Sequence, residues 1–124
     1  MAGAQAFVDG WQRLLEELGP CDLLLDVSPS DERGELRGTV RLAGNHRLGV
    51  YLRLEFRDTP RLVNYSLQLL DAIGGSVLRY DNSPYHGELL GAPHHLHGGE
   101  KIVPVMPEPS LRVMLAAVRD AIEP

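Results

Sequence analysis

The feature that most constrains the fold of this chain is an alternation of apolar and polar residues that persists from Gly34 to Asp81. In the clearest run, residues 46–56, every second residue from Leu48 to Phe56 is apolar. Similar runs cover residues 34–42, 61–69 and 76–81, with short turns between them. A period of two places the apolar side chains on one face of a strand. The runs therefore predict an antiparallel meander with one dry face and one polar face.

Two segments outside this region have the spacing of amphipathic helices. Residues 3–18 carry an apolar stripe that ends at Gly19-Pro20, because proline cannot continue a helix. Residues 109–122 carry a second stripe, and Pro109 suits the first helical turn. Both helices need an apolar surface, which the sheet offers. We therefore predict an α+β fold, an antiparallel β meander of about four to six strands with the N- and C-terminal helices packed on one face.

The predicted core combines the two stripes with the dry face of the sheet. We expect these residues to be largely buried: Trp11, Leu15, Leu48, Val50, Leu52, Leu54, Phe56, Leu115 and Val118. The arginines at polar positions of the strands, Arg37, Arg41 and Arg53, should keep their charged groups exposed.

The length of 124 residues suits one domain and is too short for two independent cores. We expect a single α+β domain across residues 1–124. Its parts would be an N-terminal helix within 1–20, a β meander over 22–81, a histidine-rich loop over 82–101 and a C-terminal helix over 109–123.

Composition restricts the class of protein. Hydrophobic residues make up 44% of the chain and charged residues 23%, as in globular proteins. The net charge of −5 argues against an avid non-specific nucleic-acid binder, which is usually basic. A single cysteine, Cys21, excludes an internal disulfide, and we interpret it as a small, buried apolar side chain. Because no stretch resembles a signal peptide or membrane span, the sequence predicts a cytoplasmic protein.

The residues that could carry chemistry follow the last strand run. Four of the five histidines, His86, His94, His95 and His97, lie within 12 residues. Prolines and glycines between residues 80 and 99 predict a loop, and loops on a rigid sheet often carry function. We expect this loop to fold back toward Arg79 and Asp81, so that these groups form one site.

Two kinds of chemistry suit such a loop. His95 and His97 would face the same way on an extended segment, and Asp81 or His86 could complete a metal site with an open position for water. Their spacing matches neither a zinc finger nor an HExxH motif. The sequence therefore favours a site without a cofactor, with a divalent metal such as zinc as the alternative.

The second kind of chemistry is acid–base catalysis on a phosphodiester. A pair of histidines can take and give protons near neutral pH, while arginines stabilise charge on the phosphate. Between Arg33 and Arg61 there are seven arginines and three acidic residues, a local positive excess in an acidic chain. Four of these arginines occupy polar positions of the strands: Arg37, Arg41, Arg47 and Arg53.

Two short motifs suggest a family. Residues 79–86 read RYDNSPYH, and residues 93–97 read PHHLH. In this order they resemble the paired signature of the TumE-like toxin family, over roughly residues 34–122, with Tyr85 where that family has the first histidine of a pair. The resemblance implies the toxin of a type II toxin–antitoxin module, neutralised by a cognate antitoxin protein. It implies no particular reaction.

The sequence thus predicts a toxin that acts as a histidine-dependent, metal-independent ribonuclease. The candidate catalytic residues are Asp81, His86, His94, His95 and His97, and the candidate substrate-binding residues are Arg37, Arg53, Arg79, Asn82 and Tyr85. In the metal alternative, His95 and His97 would be the ligands. The expected partners are an antitoxin and RNA, and not a membrane, while the oligomeric state is left open. A different class also stays open, a non-catalytic interaction or metal-binding module whose histidine-rich loop organises an interface.

Overall fold

The computed structural model describes residues 3–82, 95–98, 101–104 and 110–122, and it describes side chains for the first and last of these ranges. The helices are α1 (Ala4–Glu16) and α2 (Leu111–Ile122). The strands are β1 (Cys21–Val27), β2 (Arg33–Arg41), β3 (Arg47–Phe56), β4 (Pro60–Leu70), β5 (Ser76–Asp81), β6 (His95–Gly98) and β7 (Lys101–Pro104). Among these described elements, neither helix is long and apolar enough to cross a membrane.

The seven strands form one sheet in chain order, and each strand pairs antiparallel with the next. The predicted α+β meander with a helix at each end is confirmed. The sheet is larger than the four to six strands predicted, because β6 lies inside the stretch predicted as a loop and β7 follows it. β6 is four residues long. It ends at Gly98, which Gly99 follows in the sequence, so its composition is that of a loop.

The core lies between the dry face of the sheet and the two helices. α1 packs against β1, β2 and β3, while α2 packs against β5. Seven residues that the alternation and the helical stripes placed in the core are buried: Leu15, Leu48, Val50, Leu52, Leu54, Leu115 and Val118. Tyr65, Leu67 and Leu69 of β4 complete the central layer. The binary pattern therefore identifies the dry face strand by strand.

Two aromatic residues predicted to be largely buried, Trp11 and Phe56, are only half-buried. Phe56 is the last residue of β3, so it lies at the margin of the sheet, where its ring centre is 5.9 Å from that of Phe7 in α1. Trp11 packs against the core but also lines a groove between α1 and the start of α2. Both are less buried than the seven residues above, because they lie at the margin of the core.

Glycines let α1 and β1 approach β2 closely. A Cβ atom at Gly34 would lie 2.6 Å from Val8 Cγ2, so the strand has no room there for a side chain beneath the helix. Gly38 has a φ of +153°, and a Cβ atom there would overlap the carbonyl oxygen of Asp22 in β1. Both positions therefore require glycine.

Candidate active site

Strand pairing aligns residues from five strands in a row across the polar face of the sheet. Arg37 of β2 is opposite Tyr51 of β3, and Tyr51 is opposite Ser66 of β4. Ser66 is opposite Asp81 of β5, which is in turn opposite His95 of β6. Residues directly opposite each other in an antiparallel pair lie on the same face. The backbone therefore brings three predicted site positions, 37, 81 and 95, into one line, which we call the Asp81 row.

A second row runs beside the first, two residues along each strand. Its members are Thr39, Gly49, Gln68, Arg79 and His97, each opposite the next. Rows two residues apart in a strand are separated by about 6.6 Å. Arg79 and His97, which are also predicted site positions, thus lie one step from Asp81 and His95.

An ion pair links the two rows within β5. Arg79 Nε lies 2.6 Å from Asp81 Oδ2, and the side chain of Asp81 is 3% exposed while that of Arg79 is 40% exposed. Asp81 is the only charged residue that is buried among those whose side chains are described. A buried carboxylate is costly without a partner, so the guanidinium of Arg79 offsets much of its desolvation. The pair lies at the end of β5, opposite the backbone of His95.

Asn82 fixes the point at which the chain leaves β5. Its Oδ1 accepts a hydrogen bond of 3.0 Å from the N–H of Tyr65, and its Nδ2 donates one of 2.8 Å to the carbonyl oxygen of Val63. The pairing of β3 with β4 shifts between Arg53 and Leu54, which makes Val63 the extra residue of a bulge. The amide side chain thus pairs with the β4 backbone where the β5 ladder ends.

The chain matches the family model described as Toxin TumE over residues 13–123. It belongs to the TumE toxin family. Comparison with the curated proteins and with the solved structures gave no match. The match to the TumE model begins within α1 and includes the meander and α2, so it is wider than the resemblance of the two motifs alone.

Within this TumE-family fold, the four residues of the RYDN motif have separate roles. Arg79 and Asp81 form the ion pair on the polar face. Tyr80 points to the opposite face, where it is 7% exposed, and burial raises the pKa of its phenol, so that it stays neutral. Asn82 holds the β4 backbone. We predicted Asn82 as a substrate-binding residue, but its described contacts are those of a residue that positions the end of β5.

The backbone of the second motif returns to β5, as predicted. His95 and His97 of the TumE-type PHHLH segment pair with Asp81 and Arg79 through β6. His86, His94 and Tyr85 lie outside the described residues. Among the side chains that the structure describes, no group of three or more histidine, cysteine, aspartate or glutamate residues could hold a metal ion. The proposed ligands of the metal alternative, His95 and His97, are not among those side chains.

The structure adds two residues to the candidate site that sequence reasoning missed. Tyr51 is half-buried in the Asp81 row, between Arg37 and Ser66, and Gly49 precedes it on the same face of β3. The alternation had already placed Tyr51 at a polar position of β3. An aromatic residue on the polar face was the available signal, but its neighbours became known only from the register.

Proposed function

We propose that this TumE-family toxin cleaves RNA by histidine acid–base catalysis. The site would be the end of the Asp81 row where Asp81 lies opposite His95. The observation that carries the proposal is the register of β5 with β6, which sets His95 opposite a buried, ion-paired Asp81. A carboxylate near an imidazole favours the charged imidazolium. Asp81 would thus be a positioning residue that keeps His95 able to give a proton.

In the proposed reaction, a second histidine takes the proton of the ribose 2′-hydroxyl. The 2′ oxygen attacks phosphorus, the bond from phosphorus to the 5′ oxygen breaks, and His95 gives its proton to that leaving oxygen. The products are a 2′,3′-cyclic phosphate and a free 5′-hydroxyl, so no metal or further reactant is consumed. The second histidine would be His86, His94 or His97.

Arginines on the polar face would stabilise the charge that grows on the phosphate. The side chain of Arg79 is 40% exposed although its buried Nε pairs with Asp81, so part of this side chain stays accessible beside the site. Arg37 occupies the same row as Asp81. Hydrogen-bond donors that are already in place where charge develops typically contribute about 10²–10³ in rate.

A cognate antitoxin is the expected regulator of such a toxin. We propose that it neutralises the toxin by covering the basic polar face with acidic residues, because oppositely charged surfaces guide and align association. Both the RNA and the antitoxin would be met in the cytoplasm. If this proposal is right, RNA cleavage should stop when the antitoxin is added in equimolar amount.

Induced expression in a bacterial host tests the site. We expect wild type to arrest growth and degrade RNA, whereas His95→Ala and Asp81→Asn should not. Asp120→Asn is the matched control for Asp81→Asn, because Asp120 is an exposed carboxylate of α2, which packs on the dry side of the sheet. Arrest by the His95→Ala variant at the wild-type level would contradict the proposal.

Purified protein tests the reaction itself. Cleavage should survive exhaustive chelation, show a bell-shaped pH profile, and stop when the scissile ribose is replaced by deoxyribose. Activity that disappears with chelator and returns with zinc would instead make His95 and His97 metal ligands. Folded protein that cleaves no RNA under either condition would favour the non-catalytic interaction module.

A further inference from the structure

We propose that Tyr51 is a stacking platform for a base of single-stranded RNA, that Gly49 leaves the space the base occupies, and that Arg37, Arg41 and Arg47 bind the neighbouring phosphates. The inference deepens the proposed function, since it names the form of the RNA and the residues that hold it. It rests on that function only for what happens to the RNA after binding.

Among the side chains that the structure describes, Tyr51 does not belong to the core that holds the other two described tyrosines. Two other tyrosines, Tyr65 and Tyr80, are buried on the dry face, with exposures of 1% and 7%. Tyr51 is on the polar face of β3, outside the core cluster, and keeps part of its ring exposed. Within the described part of the chain, its hydroxyl has no hydrogen-bond partner. The exposed part of Tyr51 is therefore accessible to a ligand.

Gly49 lies beside Tyr51 on the same face, two residues earlier in β3. Glycine weakens a strand interior, so its presence there usually marks a special backbone conformation or the close approach of another group. A Cβ atom at Gly49 would meet only the carbonyl oxygen of Gln68, at an ordinary distance of 3.9 Å, and its φ is not positive. Neither packing nor backbone requires glycine at this position, in contrast to Gly38. A flat ligand that lies next to the tyrosine ring would require glycine here, and we call this space beside Tyr51 the shelf.

The charges around the shelf suit phosphate. Arg41 and Arg47 are directly opposite each other at the β2–β3 turn, and like charges in this arrangement destabilise a sheet. Both are exposed, as is Arg37, and in the described ranges none of the three forms an ion pair. Arg41 and Arg47 also line a cleft of about 470 Å³. A bound anion would offset the repulsion between them.

The dimensions connect the shelf with the proposed site of cleavage. Tyr51 and Asp81 are two strands apart, which is about 10 Å because neighbouring strands are about 4.8 Å apart. A base on Tyr51 would thus place the adjoining backbone near Asp81. Only an unpaired base can offer its face to an aromatic side chain, and for this reason the ligand is single-stranded.

The test measures binding of a fluorescein-labelled 12-residue oligouridine whose 2′-hydroxyls are methylated, so that it cannot be cleaved. We expect Tyr51→Ala to weaken binding about tenfold, since stacking on an aromatic residue is a large contribution per base. Tyr51→Phe, which keeps the ring, should restore most of it. Gly49→Thr should also weaken binding, although the strand itself gains a residue that favours β structure.

Salt dependence separates stacking from charge. Arg37→Ala should reduce the slope of log Kd against log salt by about 0.7, the value for one phosphate of a single strand. Tyr51→Ala should leave the slope unchanged. Arg112→Ala, an exposed arginine of α2, is the matched control and should change neither affinity nor slope.

Several results would overturn the inference. These are wild-type affinity in Tyr51→Ala or in folded Gly49→Thr, or equal affinity for a duplex of the same length. Its failure differs from failure of the proposed function. If binding depends on Tyr51 but natural RNA is not cleaved, the proposed nuclease activity is refuted and the stacking role of Tyr51 stands. If Tyr51→Ala cleaves RNA as fast as wild type, the stacking role is refuted and the nuclease activity stands.

Discussion

The residues on the two faces of the sheet differ in how well packing explains them. On the dry face, the positions we examined from β2 to β4 are explained by packing: large apolar side chains fill the space beneath the helices, and Gly34 and Gly38 occur where a side chain would collide. On the polar face, several positions are not explained by packing. Asp81 is a buried carboxylate, Arg41 opposes Arg47, and Gly49 occupies a strand interior without a steric reason.

This difference supports the proposed location of the site. Proteins tolerate local costs to stability mainly at sites of binding and catalysis. These three features lie on one face and within four residues of the Asp81 row along their strands. The dry face holds the fold, and the polar face is where we locate the toxin's activity.

The largest test of the comparison truncates one leucine on each face. Leu52→Ala should lower the free energy of unfolding by about 2–5 kcal/mol, because Leu52 has 0% exposure and its removal leaves a cavity. Leu24→Ala, on the polar face of β1 with 66% exposure, should change it by less than about 0.5 kcal/mol. Chemical denaturation measures both. Equal losses would mean that the polar face is packed as closely as the dry one.

A glycine on each face gives the next contrast. Gly38→Ala should destabilise the protein by about 1–3 kcal/mol, because alanine is strained at a φ of +153° and its Cβ would overlap β1. Gly49→Ala should leave stability unchanged or raise it by up to about 1 kcal/mol, since alanine loses less conformational freedom on folding. Thermal unfolding of the two variants measures both changes in stability. A loss at Gly49 similar to that at Gly38 would give Gly49 a structural role and remove one argument for the shelf.

A smaller effect on stability is expected at the end of β5, after which the sequence continues into the histidine-rich stretch. Asn82→Ala should cost about 1–2 kcal/mol, since it removes two hydrogen bonds to the β4 backbone. Asn64→Ala, an exposed asparagine of β4, is the control and should be neutral within about 0.5 kcal/mol. Hydrogen exchange should show faster exchange of the Tyr65 amide in Asn82→Ala alone. An unchanged rate would show that Asn82 does not hold the strand end.

The sequence predicted the dry face well and the site only in part, for a physical reason. Burial imposes a period that is visible in a single strand, so Leu48 through Leu54 could be assigned without a structure. The Asp81 row depends on the register between strands, which local pattern does not encode; Tyr51 was therefore missed although Arg37 and Asp81 were predicted. The contacts of Asn82 with β4 could not be predicted either, because an exposed amide and one bound to a bulge look identical in sequence.

The smallest expected effect concerns Cys21, which begins β1 on the dry face. Burial, followed by the negative charge of Glu16, raises the pKa of its thiol, and its Sγ lies 3.2 Å from the carbonyl oxygen of Gly19, to which the S–H donates. A higher pKa leaves less thiolate at a given pH, so alkylation at neutral pH should be slower in the folded protein than in denaturant. Cys21 packs against the core, as predicted, but it is only partly buried.

Charge and burial can be separated at this thiol with one pair of variants. Glu16→Gln removes the second cause of the raised pKa, so the pH at which alkylation reaches half its maximal rate should fall modestly. Glu17→Gln, the neighbouring carboxylate that does not act on the thiol, should leave that pH unchanged. If neither variant shifts it, burial alone controls the thiol, as expected of the dry face. A folded protein that reacts as fast as the unfolded chain would instead place Cys21 outside the core and limit the dry face to β2 and the strands that follow.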